Sequence, residues 1–394
     1  MKEKIFSALD AHYDEMVQIR RYLHQYPEVS FHEYETAKYI QNFYRKLQLP
    51  YRANVGGNGV VARLHGAKPG KTIALRADFD ALPIQDEKDV PYRSQVPGVM
   101  HACAHDGHTA MLLVLAKVLT QFRDQLAGDI VFIHQHAEEL APGGAKAMIE
   151  DGALDDVDVV FGNHLWTNTP FKEIHTAPDH LMAAADRFTI TLHGKGGHGA
   201  IPNQTKDPIA IGAQLITSLQ QIVSRRIDPL ATAVLSIGRF EAGDTFNVIP
   251  DTATMEGTVR TFDPALREWI IEEMERVIKG ITMSSNIQYS FDYVKGYPPV
   301  VNHPDYAERV IQAASEVPEV SKAVYVEPTM TAEDFSYYLQ KRPGAFFFTG
   351  AAIQNNFVPH HHPLFDFEEK AMLIGAKTLV NVTLSTLHET DQKK

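Results

Sequence analysis

Apolar residues recur at helical spacing over residues 6–22 and 32–47, which predicts two amphipathic helices at the start of the chain. Short β-like runs follow at 59–64 and 72–78, then a helical stretch at 107–122. The pattern continues with a strand at 129–134, a helix near 144–149 and a strand at 157–162. Strands and helices alternating in this way predict an α/β sheet, mixed but largely parallel, with helices on both faces. From about residue 183 the rhythm changes to strand 186–193, helix 207–223, strands 232–240 and 252–262, helix 264–281 and strand 287–294. The order βαββαβ is that of a split-βαβ, ferredoxin-like unit, and about 110 residues suffice for a small domain. Residues of catalytic type resume at 360–363, so this unit reads as an insertion. The expected organisation is a discontinuous domain of 1–182 and 296–394 with residues 183–295 inserted; 366–387 reads as a packing helix.

The densest chemistry lies between Met100 and His108, where Cys103, the single cysteine, stands among His101, His105 and His108. A lone thiol cannot form an intramolecular disulfide. Alternate residues of an extended loop point the same way, so Cys103 and His105 are expected to converge on one cation. Glu138 and Glu139 follow the strand 129–134, and His164 follows the strand 157–162. Ligands of open α/β sheets bind at the carboxyl ends of the strands, and these residues sit there by sequence position alone. His360, His361 and His362 add further ligand-type side chains near the end of the chain. Asp78 and Asp80 close a strand and are expected to orient ligands or shape the turn. His101, His108, His134 and His136 read as supporting or solvent-facing.

Composition narrows the class. The chain has 394 residues, 44% hydrophobic and 22% charged, which are ordinary globular values with ample core. A net charge of −12 argues against nucleic acid or an anionic membrane as partner. No apolar run approaches the ~20 residues that span a bilayer. The first residues read as an amphipathic helix without an apolar signal region, so a cytoplasmic location is expected, with the thiol kept reduced.

Motifs in order along nearly the whole chain carry a resemblance. They are Arg76 to Pro83 with Asp78 and Asp80, Met100 to His108, Ala137 to Glu139, Gly194 to Pro202 with His198, Asn247 to Asp251, Gly257 to Arg260, Glu333 to Phe335, and His361 to Pro363. The sequence resembles the aminoacylase, hippurate hydrolase and indoleacetyl-amino-acid hydrolase group of co-catalytic metallopeptidases. The resemblance implies a catalytic domain with an inserted lid through which such proteins dimerise. It places the metal ligands on Cys103, His105, Glu139, His164 and His361, the last chosen over His360 because the family pattern is His, one residue, then Pro. It implies two divalent ions, manganese or zinc, with cobalt or nickel also compatible with the donors.

The resemblance also makes Glu138 the general base toward metal-activated water. His198 is then an oxyanion donor reaching in from the lid of a partner subunit, and Asn247 and Arg260 hold the substrate's carboxylate end. The expected reaction is cleavage of N-acyl-L-amino acids to a carboxylate and a free amino acid. A dipeptidase or carboxypeptidase with the same centre is the nearest alternative, and a non-catalytic metal-dependent binding protein is a more distant one. Ala104, His136 and Asn203 depart from the usual family residues, glycine, proline and histidine respectively.

Overall fold

The computed structural model describes residues 1–387, and the chain divides into two compact units. One comprises Met1–Leu181, Val300–Pro328 and Asp334–Lys394; the other comprises Met182–Pro299 and Thr329–Glu333. The insertion was expected over 183–295; the second unit runs over Met182–Pro299 and adds a short return segment, Thr329–Glu333.

The first unit is built on an eight-stranded sheet. In spatial order its strands are Tyr51–Val55, Gly59–His65, Ala127–Gln135, Lys68–Asp78, Val159–Trp166, Gly344–Gly350, Glu173–Thr176 and Lys322–Tyr325. The four central strands, from Ala127–Gln135 to Gly344–Gly350, run parallel, as do the last two to each other; the remaining neighbours pair antiparallel. The sheet is mixed and largely parallel, as the alternation of strand and helix predicted. The strands at its centre are buried along almost their whole length, which is why they read as continuous apolar runs. Helix His105–Thr120 is buried nearly all round, and so is the carboxyl-terminal helix Lys370–Leu387.

Several boundaries differ from the sequence reading for local reasons. The single helix expected over 6–22 is two helices, Lys2–Ala11 and Tyr13–Gln25, broken where His12 leaves helical geometry at φ −103° and ψ 9°. The strand expected at 157–162 runs over Val159–Trp166, so His164 lies within it rather than after it. The extended loop expected at Cys103–His105 does not exist. Ala104 is left-handed, with φ +65°, and caps a helix that begins at His105 rather than Gly107. Strand Gly344–Gly350 and helix Pro304–Ser315 had no counterpart in the periodicity reading.

The second unit carries a four-stranded antiparallel sheet in the order Ala233–Glu241, Thr252–Thr261, Ala184–His193, Gln288–Lys295. With helices Pro208–Gln221 and Pro264–Ser284 between its strands, this is the βαββαβ arrangement. Both helices begin with proline after a capping aspartate, Asp207 or Asp263, whose side chain accepts two backbone N–H groups. Leu192, Leu215, Leu219, Met255, Ile270 and Met274 give the unit its own apolar core. Among the described residues, no helix is long and apolar enough to cross a membrane.

Candidate metal centre

Parallel strands deliver the chemistry to one end of the sheet. Lys68–Asp78 ends at Asp78, Ala127–Gln135 leads into His136–Glu139, and Val159–Trp166 brings His164. Cys103 and His105 arrive from the start of helix His105–Thr120, and the left-handed turn at Ala104 sets the two side chains against each other. His361, also left-handed at φ +62°, is anchored by its N–H to the Ala102 carbonyl at 2.9 Å.

All five expected ligands fall into two overlapping groups that share Cys103. One is Cys103, His105 and His164; the other is Cys103, Glu139 and His361, and within each the donor atoms lie within 4.8 Å of one another. Cys103 Sγ is 3.4 Å from His164 Nε2, and His361 Nε2 is 3.3 Å from Glu139 Oε1. Two donors on one tetrahedral zinc-sized ion stand about 3.3–3.8 Å apart, given bonds of about 2.0–2.3 Å. Glu138 borders the same space, its Oε2 3.9 Å from His105 Nε2. Cys103, His105 and His164 are buried, whereas His361 is exposed at the rim.

Hydrogen bonds decide which nitrogen each imidazole presents. His105 Nδ1 faces the Asp80 carbonyl at 3.0 Å and Asp80 Oδ1 at 3.2 Å, so it donates, leaving Nε2 toward the centre. His164 Nδ1 donates to the Leu165 carbonyl at 2.9 Å and leaves its own Nε2 toward Cys103. His105 Nε2 is buried with no hydrogen-bond partner. Oxygens of Asp78, Glu138 and Glu139 surround it at 3.7–3.9 Å, too far to bond it but close enough to share an ion with it.

The electrostatics call for a cation. Burial disfavours charge on His105, yet Asp78, Asp80 and Glu139 outweigh it and push the imidazole up to about 10. Burial, reinforced by Glu139 and Glu138, drives the Cys103 thiol well above its ordinary range. Burial, then His108 and His360, holds His164 well below the usual imidazole range, in the neutral form that ligates. The carboxylates that hold a proton on buried His105 also favour a cation at that place. One thiol, three imidazoles and a carboxylate suit zinc, manganese, cobalt or nickel better than calcium or magnesium.

Sequence reading did not give the partners of the residues that hold this arrangement. Of the two roles left open for His108, the structure gives the supporting one: it is buried, Nδ1 donates to Asp78 Oδ1 at 2.6 Å and Nε2 accepts from Leu165 N at 2.9 Å. Both nitrogens are thus spent on clamping the strand ends beside His164. Arg76 pairs with Asp78 and, at 2.9 Å, with Asp334. His101, His134 and His136 are buried as well, and His134 accepts from Tyr44 Oη at 2.7 Å. The visible signal for His108 was its place one helical turn after His105.

The remaining expected residues lie in the second unit. His198 is exposed on the two-residue strand Gly197–His198, which pairs with Val248–Ile249. That pairing sets it beside exposed Asn247, whose carbonyl accepts from Gly199 N at 2.8 Å. Arg260 is half-buried on strand Thr252–Thr261 and donates to Thr258 Oγ1 and to the Val259 carbonyl.

Comparison with known proteins places this geometry. The model of peptidase family M20/M25/M40 matches residues 74–385. The chain is 53% identical over 391 residues to YhaA of Bacillus subtilis (strain 168), provisionally described as an amidohydrolase, covering 99% of this chain and 98% of that one. It is 49% identical over 307 residues to the N-acyl-L-amino acid amidohydrolase of Geobacillus stearothermophilus, covering 77% and 82%. It is 40% identical over 368 residues to thermostable carboxypeptidase 1 of Saccharolobus solfataricus, covering 92% and 93%. Among solved structures, the YXEP protein of Bacillus subtilis, described as a dinuclear metal-binding peptidase, superposes with a TM-score of 0.83 at 36% identity, covering 97% of this chain and 100% of that one. On the family match and these identities, the chain belongs to peptidase family M20/M25/M40 and is a hydrolase of amide bonds.

Proposed function

We propose that the chain is a metal-dependent amidohydrolase that cleaves N-acyl-L-amino acids, such as N-acetyl or N-benzoyl amides, to a carboxylate and a free amino acid. The observation that carries this reading is the convergence of five metal-type donors around Cys103, with a second carboxylate, Glu138, at their edge. The substrate class is supported by the relative named as an N-acyl-L-amino acid amidohydrolase.

In this reading Cys103, His105, Glu139, His164 and His361 hold two divalent ions, zinc or manganese, with cobalt or nickel as alternatives. Ions held there would supply Lewis acidity, polarising the amide carbonyl and lowering the pKa of water toward ~7. Glu138 takes the proton of the attacking water and returns it to the leaving nitrogen. Asp80 keeps His105 in the tautomer that ligates, and Asp78 orients His108, whose Nε2 accepts from Leu165 N beside His164. His198, supplied by a partner subunit, donates to the developing oxyanion. Asn247 and Arg260 hold the substrate carboxylate, for which a guanidinium fork is geometrically suited. The second unit is then a lid and dimerisation domain, and the enzyme acts in the cytoplasm as a homodimer or higher homo-oligomer.

A second reading, a carboxypeptidase or dipeptidase with the same centre, is favoured by the Saccharolobus relative. The deciding experiment strips the metal, reloads zinc, manganese, cobalt and nickel separately, and offers N-acyl-amino acids beside unblocked dipeptides. Metal-restored release of amino acid from the acylated series supports the amidohydrolase. Turnover of dipeptides alone moves the protein to the peptidases, and binding without turnover under every metal leaves a binding protein.

A further inference from the structure

The turn that carries Glu138 is held in a conformation its sequence does not favour. Ala137 has φ +53°, a left-handed geometry that a residue with a Cβ keeps only under constraint. Its carbonyl accepts from Gly144 N at 3.1 Å, and its N–H donates to Glu33 Oε1 at 2.8 Å. The same Glu33 oxygen accepts from Phe31 N at 2.9 Å, while Oε2 accepts from Asn58 Nδ2 at 2.9 Å. Glu33 is fully buried, and burial pushes its carboxyl up to about 7 despite the Asn58 hydrogen bond.

The other side of Glu138 is fastened in the same manner. Glu139 N donates to Asp80 Oδ2 at 2.9 Å, and that oxygen also accepts from Ser30 Oγ at 2.7 Å. The amides that flank Glu138 are each tied to a buried carboxylate, and both carboxylates are tied to the loop 30–33. That loop is itself secured, because Ala81 N donates to the Glu28 carbonyl at 2.8 Å and the Glu28 carboxylate accepts from Glu35 N and Thr36 N.

We infer that Glu33 is a positioning residue for amide hydrolysis, fixing left-handed Ala137 so that the Glu138 carboxylate is aimed at the reacting centre. It touches no substrate and supplies no metal ligand, and the inference rests on Glu138 acting as general base. Alanine at 33 leaves the buried Ala137 N–H without an acceptor. Glutamine keeps a carbonyl oxygen for the Ala137 and Phe31 amides, and Asn58 meets its amide group by turning its own.

The test compares Glu33→Ala, Glu33→Gln, Glu33→Asp and Ala137→Gly with the Glu33→Ala/Ala137→Gly double variant, all metal-loaded. Small misplacements of a reacting group cost up to about 10²-fold, so Glu33→Ala is expected to lower kcat about 10- to 100-fold with KM and metal content little changed. Glu33→Gln restores most of the loss, and Glu33→Asp, withdrawn by one methylene, falls between. Glycine adopts the left-handed turn without a Cβ penalty, so the loss shrinks in the Ala137→Gly background.

Backbone amide exchange over residues 136–139 gives a readout independent of turnover, expected to quicken in Glu33→Ala and not in Glu33→Gln. If Glu33→Ala does not fold, Glu33→Asp against Glu33→Gln carries the same contrast. Wild-type kcat and exchange in the alanine variant overturn the inference, as do equal losses in the alanine and glutamine variants. If the wild-type enzyme hydrolyses no amide, the amidohydrolase reading fails by itself, and the exchange rates still decide whether Glu33 holds the turn.

Discussion

The carboxyl end of the eight-stranded sheet and the His198 region of the second unit hold functional side chains in opposite ways. At the sheet, nearly every polar group is buried and has its orientation set by another. Asp80 turns His105, Asp78 is gripped by Arg76 and His108, and the far nitrogen of His108 accepts from Leu165 N. In the second unit, His198 and Asn247 are exposed, and Phe246 beside them is 99% exposed. Donors that their neighbours already hold in place spare an arriving ion the cost of orienting them. Groups that meet a substrate can stay solvated until it arrives and brings order with it. Variants of the metal-type donors at the sheet and of the groups that orient them should therefore disturb metal and stability together, whereas variants in the second unit should disturb turnover alone.

The largest effect expected is from Glu138→Gln, which should lower kcat by about 10²–10⁴ while both ions remain bound. Metal analysis beside single-turnover rates checks it; full activity in the loaded variant would remove Glu138 from the mechanism. His198→Ala should cost about 10²–10³ in kcat, the scale of one lost oxyanion donor. Because the side chain is exposed, its metal content and Tm should match the wild type, and a fall in either would break the contrast between the two regions. His108→Ala works the other way. It releases Asp78 and leaves Leu165 N without its acceptor, so metal affinity should drop about 10- to 100-fold and Tm should fall.

The last expected effect is a slope with pH. The field that pushes His105 up to about 10 keeps it protonated at neutral pH, and the raised Cys103 thiol is protonated too. Both must lose their protons to ligate, so binding releases protons and affinity rises with pH. His105 alone contributes about tenfold per pH unit below its pKa. Calorimetric titration in buffers of different ionisation enthalpy counts the protons; none released would contradict the assigned ligands.

What could be read from the sequence, and what could not, divides along physical lines. The largely parallel sheet and the βαββαβ unit were legible because hydrophobic period reports local geometry. Strand Gly344–Gly350 was not: like the other central strands it shows no alternation, and unlike them it lacks the Val and Ile residues that mark a buried strand. The convergence of Cys103 and His105 was anticipated, but for the wrong reason: the intervening Ala104 is left-handed rather than extended. His108 passed as a supporting or solvent-facing histidine because nothing in its neighbours along the chain announces Asp78 or Leu165.

By itself, then, the sequence determined the class of chemistry. Cysteine, histidine and paired glutamates at strand ends are donors wherever they fold, and residue type and order are enough to say so. Only the tertiary structure decided how those donors are held. Glu33 meets Ala137, and Arg76 meets Asp334, across separations of more than a hundred residues. Such contacts depend on how strands stack side by side, and a one-dimensional pattern carries no record of that.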